Sequence, residues 1–224
     1  GRVPLVVGVG GNCTSDVVLA IHGTPMKGVD GILSVSPYYN KPPQEGIYRH
    51  YKTIAEASPV PIILYTVPGR TGGNISAETT LRLAETCENI VGIKEASANP
   101  DQIFQVIARK PEGFLVISGD DALTLPLMAA GADGVISVTA NALPDLVSGM
   151  VNAALRNDLS EARSHHYRML DFTQSLFSFG SPAGIKSALN AIGLCENVLR
   201  LPLVEVPPQV EKSIHDLLKK ILNK

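Results

Sequence analysis

Positive charge is scarce in this sequence of 224 residues: 19 Lys and Arg stand against 21 Asp and Glu, a formal net charge of -2 at pH 7. Without a basic excess to neutralise phosphates, nucleic acid is a poor partner. Long apolar runs are missing as well. None reaches the roughly 18 residues that a bilayer-spanning helix requires, and the N-terminus lacks the basic-then-apolar pattern of a signal peptide. The expectation is a cytoplasmic protein with no membrane partner. Cysteine is equally sparse: Cys13, Cys87 and Cys195 are odd in number and far apart, which gives neither a disulfide framework nor a metal-ligand cluster. What is present, a 45% hydrophobic composition, suits a large compact domain acting on small polar molecules rather than a disordered or fibrous chain.

Short β-branched runs alternate with longer amphipathic stretches, the pattern of repeated strand-helix units around a parallel sheet. Strands are expected at residues 5–9, 31–36, 62–67, 91–94, 114–118 and 134–138, all mostly apolar as strands covered on both faces must be. Helices are expected at 15–27, 44–56, 77–86, 100–108, 122–130 and 144–155. The period then changes, and 159–179, 183–192 and 209–222 read as three consecutive helices. The fold class expected is an α/β (β/α)8 TIM barrel with a C-terminal helical extension. Residues 1–158 would form the barrel and 159–224 the extension. Such a barrel has eight strands, and six units are visible here. The sequence leads directly from Gly1 into a strand with no initiator Met, so the first two βα units are expected to be the ones lacking.

Catalytic groups of βα barrels sit at the C-terminal ends of strands. Lys94 closes the run Ile90-Val91-Gly92-Ile93-Lys94-Glu95, where partial desolvation would lower its pKa and free the amine to attack a carbonyl. Position alone supports equally a Lys paired with Glu95. Tyr65 closes Ile62-Ile63-Leu64-Tyr65, and a phenol near a barrel lysine can shuttle the protons of imine formation; read alone, it is an interior aromatic. Arg70 lies in the turn that follows and offers a planar fork for a carboxylate, although a surface ion pair is the ordinary use of such a residue. Ser36-Pro37-Tyr38-Tyr39-Asn40-Lys41-Pro42-Pro43 is a rigid loop aiming hydroxyls at the same mouth, or packing an interface. Gly119, in Ser118-Gly119-Asp120-Asp121, and Ile136, in Ile136-Ser137-Val138-Thr139-Ala140-Asn141, close two further strands with backbone amides and small residues that admit a substrate carboxylate.

Other signals carry less. Gly8-Val9-Gly10-Gly11-Asn12-Cys13 lacks the third glycine of a dinucleotide loop and reads as a tight βα turn. His165 and His166 are adjacent on a helix and cannot share a metal at i, i+4 spacing. Asp120 and Asp121 read as helix-capping or locally paired carboxylates, so no metal is assigned.

Taken together, Pro37-Tyr38-Tyr39-Asn40, Leu64-Tyr65-Thr66-Val67-Pro68-Gly69-Arg70-Thr71-Gly72, Gly92-Ile93-Lys94-Glu95-Ala96, Ser118-Gly119-Asp120-Asp121 and Gly134-Val135-Ile136-Ser137-Val138-Thr139-Ala140-Asn141 closely resemble the dihydrodipicolinate synthase family of pyruvate-dependent class I aldolases. The resemblance runs from Val3 to the C-terminal helices. It implies a lyase that joins pyruvate to L-aspartate 4-semialdehyde through a lysine Schiff base, in the diaminopimelate route to lysine, with no metal or organic cofactor. It also implies a homotetramer built as a dimer of dimers. Lys94 matches the Schiff-base lysine, Tyr65 the proton-relaying tyrosine, and Tyr39 a relay tyrosine that reaches into a neighbouring subunit. Arg70 matches the residue holding the semialdehyde carboxylate, and the backbone at Ile136 matches the pyruvate-carboxylate contact. Asn12, Asp16 and Tyr38 align with a site where lysine inhibits many members, Asp16 standing where Glu is common. Thr66 replaces an Asn usual after the strand tyrosine, and the family's Gly-Thr-Thr-Gly-Glu segment is absent from this sequence. Alternatives at this stage are a sister aldolase, such as N-acetylneuraminate lyase or a 2-keto-3-deoxy sugar-acid aldolase, and a non-catalytic relic that kept the scaffold.

Overall fold

The computed structural model describes residues 2–223, which form two compact units, 2–119 with 130–134, and 120–129 with 135–223. In the first, strands β1 (Val6–Gly8), β2 (Gly31–Val35), β3 (Ile62–Thr66), β4 (Ile90–Glu95) and β5 (Leu115–Ser118) lie side by side in chain order, and β6 (Gly134–Val135) follows them in the sheet. The pairings of β1 with β2, β2 with β3, β3 with β4 and β4 with β5 are parallel. Helices α1 (Thr14–Gly23), α2 (Gln44–Ala57), α4 (Ala77–Thr86) and α5 (Pro100–Arg109) connect successive strands. The apolar runs expected of strands are therefore strands. Ile32, Ile62, Leu64 and Ile93 are at most 2% exposed, each contributing about 1.5–3 kcal/mol by leaving water.

Boundaries differ where local chemistry intervenes. The first helix, expected to run to residue 27, stops at Gly23 because Thr24 precedes Pro25 and is held extended, its hydroxyl donating to Ala20 O at 2.6 Å. A four-residue helix, α3 (Pro68–Thr71), was not foreseen. Its signals are Pro at the first turn and Gly72 just after it at φ 72, the left-handed stop that a side chain disfavours.

The second unit contains α6 (Thr124–Ala129), α7 (Pro144–Leu155), α8 (Leu159–Phe177), α9 (Ala183–Ala191) and α10 (Pro208–Leu222). Met150, Met169, Phe172, Leu176, Ala188, Ile214 and Leu218 are its core. The strand expected through residue 138 ends at Val135. Beyond it, the Asp121 carboxylate accepts from the Ser137 hydroxyl and from the Val138 and Thr139 amides, at 3.0 and 3.3 Å, and the chain turns into a 3-10 helix, Thr139–Asn141. A side chain that captures backbone amides removes them from the ladder. Among the described residues no helix is long and apolar enough to cross a membrane, and all three cysteines are free thiols.

Candidate active site

Strand register assembles the centre. Val35 pairs with Tyr65, Tyr65 with Lys94, and Lys94 with Ile117, so these four side chains form one row across the C-terminal ends of β2 to β5. All four are half-buried. The register depends on an irregularity: Ile62 pairs with Ile90 but Ile63 with Gly92, so Val91 is an inserted residue. A bulge of this kind shifts the following residues by one, and a one-residue shift reverses the face each presents. Downstream of it Lys94 lies beside Tyr65, with its Nζ over the phenol ring, 4.4 Å from the ring centroid.

Burial raises the pKa of Tyr65 above the ordinary phenol value, and the positive charge of Arg70 works against that rise. The phenol is thus held as a proton donor at neutral pH, next to a cation that would stabilise its anion when the proton moves. Arg70 is exposed on α3, directly after the strand that carries Tyr65. Gly119 leaves the space that Lys94 occupies: a Cβ there would stand 2.9 Å from Lys94 Cε and 2.8 Å from Ala96 Cβ. Its amide donates to Glu95 O at 2.7 Å, which fixes the backbone against β4.

Tyr39 is not brought to the pair. It is 88% exposed and sits at φ 73, a left-handed conformation that costs a non-glycine residue on the order of 1–2 kcal/mol. Its amide donates to Thr71 O at 3.2 Å, tying the tyrosine loop to α3. Tyr38 is 43% exposed. Asn12 lies in the turn between β1 and α1, where its carbonyl accepts from Asn40 Nδ2 at 2.9 Å, and Asp16 is exposed in the first turn of α1. Ile136 belongs to the second unit, half-buried just after β6. In the same unit Asp120 Oδ1 accepts from the amides of Ala122 and Leu123 at 3.0 and 3.2 Å, the local capping expected of it.

One group of residues was not anticipated. Directly behind the Lys94 row, Thr66 pairs with Glu95 and Glu95 with Ser118 in register, and none of the three is more than 1% exposed. Gln102 Nε2 donates to Glu95 Oε1 at 2.6 Å, and Asn74 Nδ2 donates to Gln102 Oε1 at 2.6 Å. Thr66 Oγ1 donates to Asn74 Oδ1 at 2.8 Å. Burial pushes the Glu95 carboxyl up, opposed by the hydrogen bonds from Gln102 and Ser97. The one signal for this network was the polar residue immediately after each catalytic candidate, Thr66 after Tyr65 and Glu95 after Lys94.

The sequence profile of the Dihydrodipicolinate synthetase family matches residues 1–221. A 4-hydroxy-tetrahydrodipicolinate synthase of Parabacteroides distasonis is 52% identical over 221 residues, 99% of this chain and 74% of that protein. The crystal structure of dihydrodipicolinate synthase from Aquifex aeolicus superposes with a TM-score of 0.95 at 45% identity, covering 98% of this chain and 75% of the other. The lysine-bound enzyme from Cyanidioschyzon merolae superposes at 0.93 and 38% identity, covering 97% and 74%. The fold is accordingly a TIM-barrel-like α/β fold, and the chain belongs to the dihydrodipicolinate synthetase family.

Proposed function

We propose that this chain is a lyase that condenses pyruvate with L-aspartate 4-semialdehyde to 4-hydroxy-tetrahydrodipicolinate, in the diaminopimelate route to lysine. Family membership over residues 1–221 supports the reaction. The observation that carries the mechanism is the Lys94 amine over the Tyr65 ring at paired strand ends. The amine attacks the keto carbon of pyruvate, and proton transfers through Tyr65 turn the carbinolamine into an imine with loss of water. Loss of a methyl proton gives the enamine. Its carbon bonds to the aldehyde carbon of the second substrate, whose oxygen takes a proton and becomes a hydroxyl. The semialdehyde's own amine then adds to the imine carbon and expels Lys94, closing the ring and restoring the free amine. The lysine supplies the electron sink, so the sequence of steps calls on no cofactor.

In this reading Arg70 binds the semialdehyde carboxylate, for which its exposure at the end of the Tyr65 strand is suited. Gly119, beside Lys94, receives the pyruvate carboxylate. Tyr39, strained and solvent-facing in one chain, completes the proton relay of a neighbouring copy in a cytoplasmic homotetramer, a dimer of dimers. Asn12, Asp16 and Tyr38 form a lysine-regulatory site, a use in keeping with the lysine-bound relative. In the same reading residues 1–158 belong to a (β/α)8 barrel, six of whose strands lie in this sequence, and residues 159–224 are a helical extension.

Incubation with pyruvate and borohydride, followed by mass measurement, tests the reading. A stable adduct mapped to Lys94 is expected. Folded protein that gains no mass would favour a non-catalytic relic.

A further inference from the structure

The four residues Glu95, Gln102, Asn74 and Thr66 form an unbroken hydrogen-bonded chain that crosses four parts of the first unit: the end of β4, the first turn of α5, the segment after α3 and the end of β3. Its valences are nearly filled. Gln102 Nε2 also donates to Ile75 O at 3.2 Å, Glu95 Oε2 accepts from Ser97 N at 3.2 Å, and Thr66 Oγ1 accepts from Ile75 N at 3.2 Å. Gln44 Nε2 adds a bond to Asn74 O at 2.8 Å. Apolar packing of the same volume would stabilise a buried site at least as well as a carboxyl and two amides do. Directional bonds, unlike apolar contacts, fix atoms in one arrangement.

Placement gives that arrangement its use. Thr66 and Glu95 are the chain neighbours of Tyr65 and Lys94, and Asn74 follows closely on the turn that carries Arg70. The ladder itself ends here, with Ala96 N donating to Thr66 O at 3.0 Å as its last bond between these strands. Past that point side-chain hydrogen bonds link the two strand ends to the segment after the α3 turn. We propose that the Glu95–Gln102–Asn74–Thr66 chain is a positioning brace that fixes Lys94 against Tyr65 and ties the Arg70 turn to the same strand ends; this rests on the reading of Lys94 as the Schiff-base lysine.

The test separates the two ideas. In the full-length protein, the rate of borohydride-trapped adduct at Lys94 measures imine formation. If the native protein forms no adduct, the reading of Lys94 falls, whatever the brace does. Given an adduct, Glu95→Gln puts an amide nitrogen against a donor and is expected to slow trapping about tenfold, since a misplacement of about 1 Å can cost a hundredfold. The pyruvate concentration for half-maximal rate should change less than about twofold, because binding and positioning are separate. The exchange Glu95→Gln with Gln102→Glu restores the bond between positions 95 and 102, at the loss of the donation to Ile75 O, and should regain part of the rate. Thr66→Val, a near-isosteric loss of one link, should slow trapping about threefold, and it decides the matter alone if Glu95→Gln does not fold. Folded variants that trap within about twofold of native, or an exchange no faster than Glu95→Gln, would overturn the brace.

Discussion

Along the row Val35, Tyr65, Lys94 and Ile117 every side chain is half-buried, whereas along the row Ser36, Thr66, Glu95 and Ser118, one residue further on the same strands, none is more than 1% exposed. A strand presents successive residues to opposite faces, so the two rows share a backbone and differ only in what covers them. The accessible row can meet a substrate. The covered row cannot, yet it is more polar than the first, against the usual apolar filling between sheet and helices. The difference teaches that groups buried next to a reactive pair are to be judged by what they hold, and groups in the accessible row by what they touch.

The largest effect should come from the accessible row. Lys94→Ala is expected to abolish the pyruvate adduct and lower turnover by about 10⁴-fold or more, while the melting temperature barely moves; mass measurement after borohydride and thermal unfolding check both. Retained labelling in that variant would refute the assignment. Acid should instead expose the covered side. His50 on α2 is 5% exposed, its Nδ1 shares a hydrogen bond with Thr14 Oγ1 at 2.9 Å, and burial lowers its pKa from 6.5 to about 4. A base depressed in the folded state contributes stability that is complete above about pH 6.5 and is lost as pH falls through about 4. The contribution is roughly 3 kcal/mol. Urea unfolding between pH 7.5 and 4 should show this loss, and His50→Asn should flatten it.

Gly119→Ala brings the comparison to a single atom. Its Cβ would stand 2.9 Å from Lys94 Cε and 2.8 Å from Ala96 Cβ, and displacement of the amine should slow trapping about a hundredfold. A rate equal to native would mean that Lys94 works from another position. Arg70→Ala is expected to do less than Gly119→Ala: about tenfold lower kcat/KM for the semialdehyde with pyruvate trapping unchanged, the loss of an exposed charge-assisted contact. Steady-state kinetics with the second substrate varied decide it, and unchanged values would remove the support for that substrate.

Much of this was legible in the chain itself. The runs ending in Tyr65 and Lys94 announced strands because β-branched residues packed on both faces leave few other readings, and α4 and α7 carry the Ser76 cap and the Pro144 start that mark their beginnings. The bulge at Val91 was not legible, since no residue type demands it; it follows from fitting β4 against β3. Nor was the brace, whose members lie at positions 66, 74, 95 and 102 and share no periodicity. The end of β6 was missed because Asp121, far along the chain, takes the amides that a longer strand would have used.

The sequence by itself determined which residues could do chemistry and that they would stand at strand ends, because side-chain type and hydrophobic period are local properties. Tertiary structure alone decided that Lys94 lies over Tyr65 and that Glu95 reaches Gln102, because register and helix placement are settled by contacts between segments distant in the chain, where hydrogen-bond geometry admits one pairing and excludes its neighbour.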